Sequence, residues 1–178
     1  GLNTLEHQPA KIAAMEANWE TRGNVPLVLF AIPDEELEEN KFEIAVPNIA
    51  SLILTHKASG EVPGLKDFVG ERPPVAPVFF GFRIMVGMGL LMLLVSWLGV
   101  FQLWRNGETK PWFNYALVPM TFAGWIATLA GWYVTEIGRQ PWLVTGILKV
   151  EDAVADHGAG TVGMTLVGYL ALYGFLLV

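Results

Sequence analysis

Residues 84–104 read IMVGMGLLMLLVSWLGVFQLW, 21 residues without a charge and with Ser96 and Gln102 as the polar side chains. At about 1.5 Å per residue, a helix of that length crosses a hydrocarbon core of roughly 30 Å. Lipid offers no partner to backbone N–H and C=O groups, so an uninterrupted run of this kind spans as an α-helix. The helix is expected to begin near Pro77, which puts Arg83 and Met85 in its first turns. A short polar turn follows over 105–111. A second apolar run extends from about Trp112 to Gly138, with Pro119 as a kink or late start. The third begins near Thr161 and is still apolar at Val178. The expected fold class is therefore all-α, a polytopic membrane helical bundle. Three transmembrane helices lie near 77–104, 112–138 and 161–178, the last one truncated. The first two, joined by a short turn, should pack antiparallel.

Composition agrees. Of 178 residues, 53% are hydrophobic, and the mean hydropathy is +0.43, too apolar for an ordinary soluble domain. The seven tryptophans lie mostly near the ends of apolar runs, as interfacial belts do. There is no cysteine, which excludes disulfides, zinc–thiolate sites and iron–sulfur clusters within the chain. Residues 1–75 hold 6 Lys/Arg against 12 Asp/Glu and carry the whole net charge of −6. An acidic polar segment before a neutral apolar one argues against nucleic acid as a partner. Arg105 and Lys110 flank the first turn, whereas 1–76 and 139–160 are net acidic. The positive-inside rule then puts 105–111 in the cytoplasm and 1–76 outside. A start at Gly1 and an end inside an apolar run suggest an internal piece of a longer polytopic protein.

Residues 1–22 carry a helical pattern, with Ile12, Met15 and Trp19 at i, i+3 and i+7 and Pro9 near a helix start. Lys11 and Glu16, five apart, do not share one tight face, although both could reach a ligand lying across the helix. Residues 25–33, VPLVLFAIP, read as extended, and DEELEEN after them as a solvated acidic face. Residues 44–55 read as a short buried or interfacial helix starting near Pro47, too short to span. Residues 56–76 read as loop, and so do 139–160, which carry Lys149, Glu151, Asp152 and Asp156.

Chemistry-bearing residues gather at the outer ends of the spans. In GWYVTEIGRQPW, 131–142, Trp132, Glu136 and Arg139 are spaced i, i+4 and i+7, one face of a helix. Glu136 fits a headgroup anchor, a proton relay or a carboxylate ligand to iron. Arg139 fits a charge partner for Glu136 or a planar clamp on a propionate. Trp132 suits an aromatic belt or the face of a macrocycle. Met85 is either a flexible apolar filler or a thioether ligand to a haem, with Arg83 near a propionate. His7, His56 and His157 are scattered and form no metal site by spacing. Phosphate loops, nucleophile elbows and HExxH are missing from the sequence.

Five motifs occur in order: QPAKIAAME (8–16), NKFEIAVPN (40–48), GLKDF (64–68), PPVAPVFFGFRIMVG (73–87) and GWYVTEIGRQPW (131–142). Together they resemble the second half of subunit I of the bd-type quinol oxidases, the cytochrome bd family, in its cyanide-insensitive branch. The resemblance spans essentially the whole chain. It implies a terminal respiratory quinol:oxygen oxidoreductase in the bacterial cytoplasmic (inner) membrane. Its cofactors would be a low-spin haem b, a high-spin haem b, and a haem d or third haem b. Its partners would be ubiquinol or menaquinol, dioxygen, oxidase subunit II and membrane lipid. By motif match, Lys11 and Glu16 fall in the quinol-oxidising external loop, here 1–76 and of the short type. Met85 matches the axial methionine of the low-spin haem b, with Arg83 near that haem. Glu136 matches the ligand of the high-spin haem b. Trp132 matches a tryptophan among the haems, and Arg139 is the arginine of GRQPW. A piece of this extent would be inactive alone, because the other haem ligands belong to the first half. Two other readings compete on the residues themselves: a secondary transporter fragment with a Glu136/Arg139 coupling site, and a non-catalytic subunit of a membrane complex.

Overall fold

The computed structural model describes residues 2–153 and 157–177. Asp156, counted above with the second loop, and Val178, at the end of the third span, lie outside them. Three helical stretches are long and apolar enough to cross a membrane. They are α4 (Val75–Asn106), the pair α5 (Pro111–Met120) and α6 (Ala123–Ile137), and α8 (Ala159–Leu176). The all-α bundle expected from the sequence is the architecture found. α4 starts at Val75, two residues before the expected Pro77. Pro77 falls in the first turn, where an N–H would have no intrahelical partner anyway. The break expected at Pro119 falls just after it. Thr121 and Phe122 donate to the carbonyls of Val118 and Pro119, three residues back, so the chain tightens between α5 and α6.

The N-terminal segment, 1–74, begins with α1 (Leu2–His7) and α2 (Pro9–Glu16) rather than one helix through residue 22. The residue before a proline is driven from the α region, and Gln8 has φ −140° and ψ 61°. Ala17 then turns left-handed at φ 48°, ending α2, so Trp19 is off the helix it was expected to share with Ile12 and Met15. β1 (Leu27–Asp34) and β2 (Glu39–Val46) form an antiparallel hairpin. The acidic run makes its tip, where Asp34 Oδ1 accepts from the amides of Glu36 and Leu37. Residues 44–46, expected in a helix, instead pair with the base of β1, and the helix α3 runs Ile49–Thr55. A 3₁₀ turn covers Leu65–Phe68. The second loop, 139–160, contains a small hairpin, β3 (Trp142–Val144) and β4 (Leu148–Lys149), and the one-turn α7 (Val150–Ala153).

The main core sits where the N-terminal segment meets the membrane helices. Ala13, Ala14 and Ala17 are buried against Val75, Val78 and Phe79 of α4, Val134 of α6, and Val28 and Ala31 of β1. Three small side chains in a row let α2 lie close on the helix pair. At Gly81 a Cβ would come within 3.0 Å of Val134, so α4 and α6 also approach closely there. The rest of α4 and the whole described length of α8 present apolar side chains outward.

Candidate functional site where the N-terminal segment meets the helix pair

Helix α6 separates two cavities. On one side, a cavity of about 370 Å³ is lined by His7, Gln8, Lys11 and Met15 of the N-terminal segment together with Met85, Gly131 and Thr135. On the other, an apolar groove of about 250 Å³ is lined by Leu129, Trp132, Tyr133 and Glu136. The division follows from helical periodicity. Residues 131, 134, 135 and 138 share one face of α6, and 129, 132, 133 and 136 the other.

Two functional candidates of the N-terminal segment are buried, which for charged groups requires partners. Lys11 lays its stem over the end of α6. A Cβ at Gly138 would come within 2.9 Å of its Cγ. Burial, then the nearby Arg139 guanidinium, lowers the Lys11 pKa, and the Glu136 carboxylate partly opposes this. Glu16, at the other end of α2, lies 3.0 Å from Arg83 Nη2. Burial raises its pKa, against the pull of the Arg83 charge and hydrogen bond. Arg83 also donates from Nε (3.0 Å) and Nη2 (2.5 Å) to the Val28 carbonyl, and from Nη1 to that of Met15. Its guanidinium stacks 4.0 Å from the Phe79 ring centre. Arg83 therefore ties β1 and the end of α2 to α4, two residues before Met85.

Trp132 and Glu136 line the same groove, as their spacing led us to expect. Arg139 lies beyond the end of α6. It pairs with Glu136 at 2.8 Å and, with Lys11, Gly138 and Gln140, lines a further hollow of about 130 Å³. Lys11 and Glu16 are directed to different helices, Lys11 to α6 and Glu16 to α4.

Several residues here escaped the sequence reading. Gln8 lines the cavity beside Lys11, and its buried Oε1 has no hydrogen-bond partner among the described residues. Met15 and Gly131 line it too. The one signal for Gly131 was its place seven residues before Gly138, on the same face. Glu35, read as part of a solvated acidic run, accepts from the Val75 amide at 2.8 Å and caps α4.

The model of the family "Cytochrome bd terminal oxidase subunit I" matches residues 1–178. The chain belongs to that family. The cytochrome bd subunit 1 of Bacillus subtilis, a ubiquinol oxidase subunit by name, is 35% identical over 97% of this chain and 40% of its own length. The bd-II ubiquinol oxidase subunit 1 of Escherichia coli is 27% identical over 96% of this chain and 46% of its own. The solved structure of the bd oxidase from Geobacillus thermodenitrificans superposes with a TM-score of 0.80 at 33% identity, covering 98% of this chain and 40% of that one. This cytochrome bd subunit I chain thus spans less than half the length of these relatives. Its three apolar helices, in a bacterial oxidase family, make it a multi-pass segment of the inner membrane.

The residues present fit the haems that membership of the cytochrome bd family implies. A thioether, Met85, and a carboxylate, Glu136, each line their own cavity across α6, and each is a side chain that would donate one atom to an iron there.

Proposed function

We propose that this chain is the C-terminal part of the haem-bearing subunit of a quinol oxidase. Quinol would be oxidised at the outer face beside Lys11, Glu16 and Gln8, with residues 1–76 outside. Met85 would hold the iron of the low-spin haem b and Glu136 that of the high-spin haem b. When bound, these haems and a third (haem d or haem b) supply electron transfer from quinol and the reduction of dioxygen to water. The observation that carries the reading is the shared cavity: Lys11 and Gln8 from the N-terminal segment and Met85 from α4 line one space.

The chain's own residues do the rest. The orphaned Gln8 Oε1 is an acceptor for a quinol hydroxyl. Lys11 binds a quinol oxygen as hydrogen-bond donor from the wall of that cavity. Glu16, its carboxylate more basic than an exposed one, accepts a quinol proton at Oε1, the oxygen that Arg83 does not engage. Arg83 keeps Glu16 in place. Oxidation of a quinol yields two electrons and two protons. Protons released at 1–76 leave on the outer side, while those consumed in making water come from the inside. A potential forms without pumping. Arg83 beside Met85, and Trp132 and Arg139 beside Glu136, would flank the two haems. The first half of the subunit and subunit II would complete the site.

The test is a reduced-minus-oxidised spectrum of the intact parent complex, with a quinol-driven oxygen-uptake trace on the same sample. Haem bands with quinol-dependent uptake are expected. A folded complex lacking haem would overturn the reading, and Glu136 and Arg139 would return to a transporter site or a helix anchor.

A further inference from the structure

Met85 meets α6 at a glycine. A Cβ built on Gly131 would lie 2.8 Å from Met85 Sδ, closer than carbon and sulfur approach without bonding, and in ordinary contact with its Cγ at 3.6 Å. The sulfur is therefore seated against bare backbone. At Gly87, Gly89 and Gly124 in the same spans, a Cβ would meet nothing within 4 Å. The side chain packed on Gly131 is a methionine, whose three rotatable bonds let the thioether move easily. An added methyl would displace the sulfur rather than part the helices. This differs from Gly81, also between α4 and α6, where a Cβ would meet the branched Val134 side chain at 3.0 Å and the Ala130 carbonyl at 3.4 Å.

We infer that Gly131 is a positioning residue for the Met85 thioether, holding the sulfur where it ligates the low-spin haem. This rests on the assignment of Met85 as that ligand. Gly131 touches no cofactor in this account. It acts by keeping the space that the sulfur occupies. Its helix presents Glu136 on the opposite face, so the effect of filling that space is confined to one haem of the two.

The experiment compares Gly131→Ala, Gly81→Ala and Met85→Leu in the intact oxidase by haem content, reduced-minus-oxidised spectrum and redox titration. Met85→Leu should abolish the low-spin signal. Gly131→Ala should shift the low-spin band and its midpoint potential, or remove most of its amplitude, with the high-spin signal kept. Gly81→Ala, which disturbs the same helix pair away from the sulfur, should leave the low-spin potential alone. An unchanged low-spin potential in Gly131→Ala overturns the inference while Met85 stands. So do equal shifts in the two glycine variants, or loss of both haems in Gly131→Ala, since each marks general packing. A normal low-spin signal in Met85→Leu removes the ligand assignment itself, and the inference with it.

Discussion

Arg83 Nη2 lies 3.0 Å from Glu16 Oε2, and both side chains are largely shielded from solvent. Removing one member of such a pair leaves the other charge buried and costs about 3–5 kcal/mol. Here the loss would fall on the joint between the N-terminal segment and α4, because Arg83 also holds the Met15 and Val28 carbonyls.

The pair sets a pH dependence whose sign follows from Glu16. Its pKa is raised on folding, so its contribution to stability is full below the unfolded carboxylate pKa. That contribution is lost as pH rises through the higher folded value. As a proton acceptor it must be ionised, so quinol oxidation should rise with pH through that same folded value. Arg83→Gln removes the charge that favours the carboxylate, and the acid limb should move to still higher pH. Glu16→Gln should abolish that limb. Quinol-driven oxygen uptake against pH in the intact oxidase measures both, and an unmoved limb in Arg83→Gln would count against Glu16 as acceptor.

Lys11→Met keeps an apolar stem over Gly138 and removes the amine. Quinol oxidation should fall by roughly 100-fold, near the upper end of what a hydrogen bond with a charged group contributes, with haem content unchanged. Haem loss in this variant would show that Lys11 serves the fold rather than the substrate.

Glu136, exposed, and Arg139, half-buried, form an i, i+3 pair, worth at most about 1 kcal/mol. Glu136→Gln should leave thermal stability nearly unchanged and yet lose the high-spin haem signal, keeping the low-spin one. A headgroup anchor would behave oppositely, with both spectra intact in the variant.

Glu35→Ala strips α4 of a cap that reaches it from the hairpin tip. The expected cost is about 1 kcal/mol, seen as faster hydrogen exchange at the Val75 amide. Glu35→Gln, which keeps an oxygen acceptor, should recover most of it. Equal exchange in wild type and Glu35→Ala would mean that water replaces the cap.

The spans were legible because hydrophobic length is a local property, and so was the Trp132/Glu136 face, which helical periodicity alone produces. The hairpin was half legible. β1 follows Pro26 and carries Pro33 near its end, but β2 alternates weakly, and its own Phe42 bends left-handed at φ 52°. Residues 44–46 look helical until β1 is there to pair with them. Gln8 was invisible as a site residue because its significance is an unmet hydrogen bond, and that exists only once α1 and α2 bury it.

By itself the sequence determined the membrane class, the three spans, the acidic N-terminal segment and, through five ordered motifs, the family. All of these are carried by neighbours along the chain or by residue identity. Tertiary structure alone decided which helix each buried charge answers to, Lys11 to α6 and Glu16 to α4. It also decided that Gly131 faces Met85 and that one thin helix parts the two cavities. Those relations join residues about 45 to 125 positions apart. Packing, not periodicity, brings such residues together.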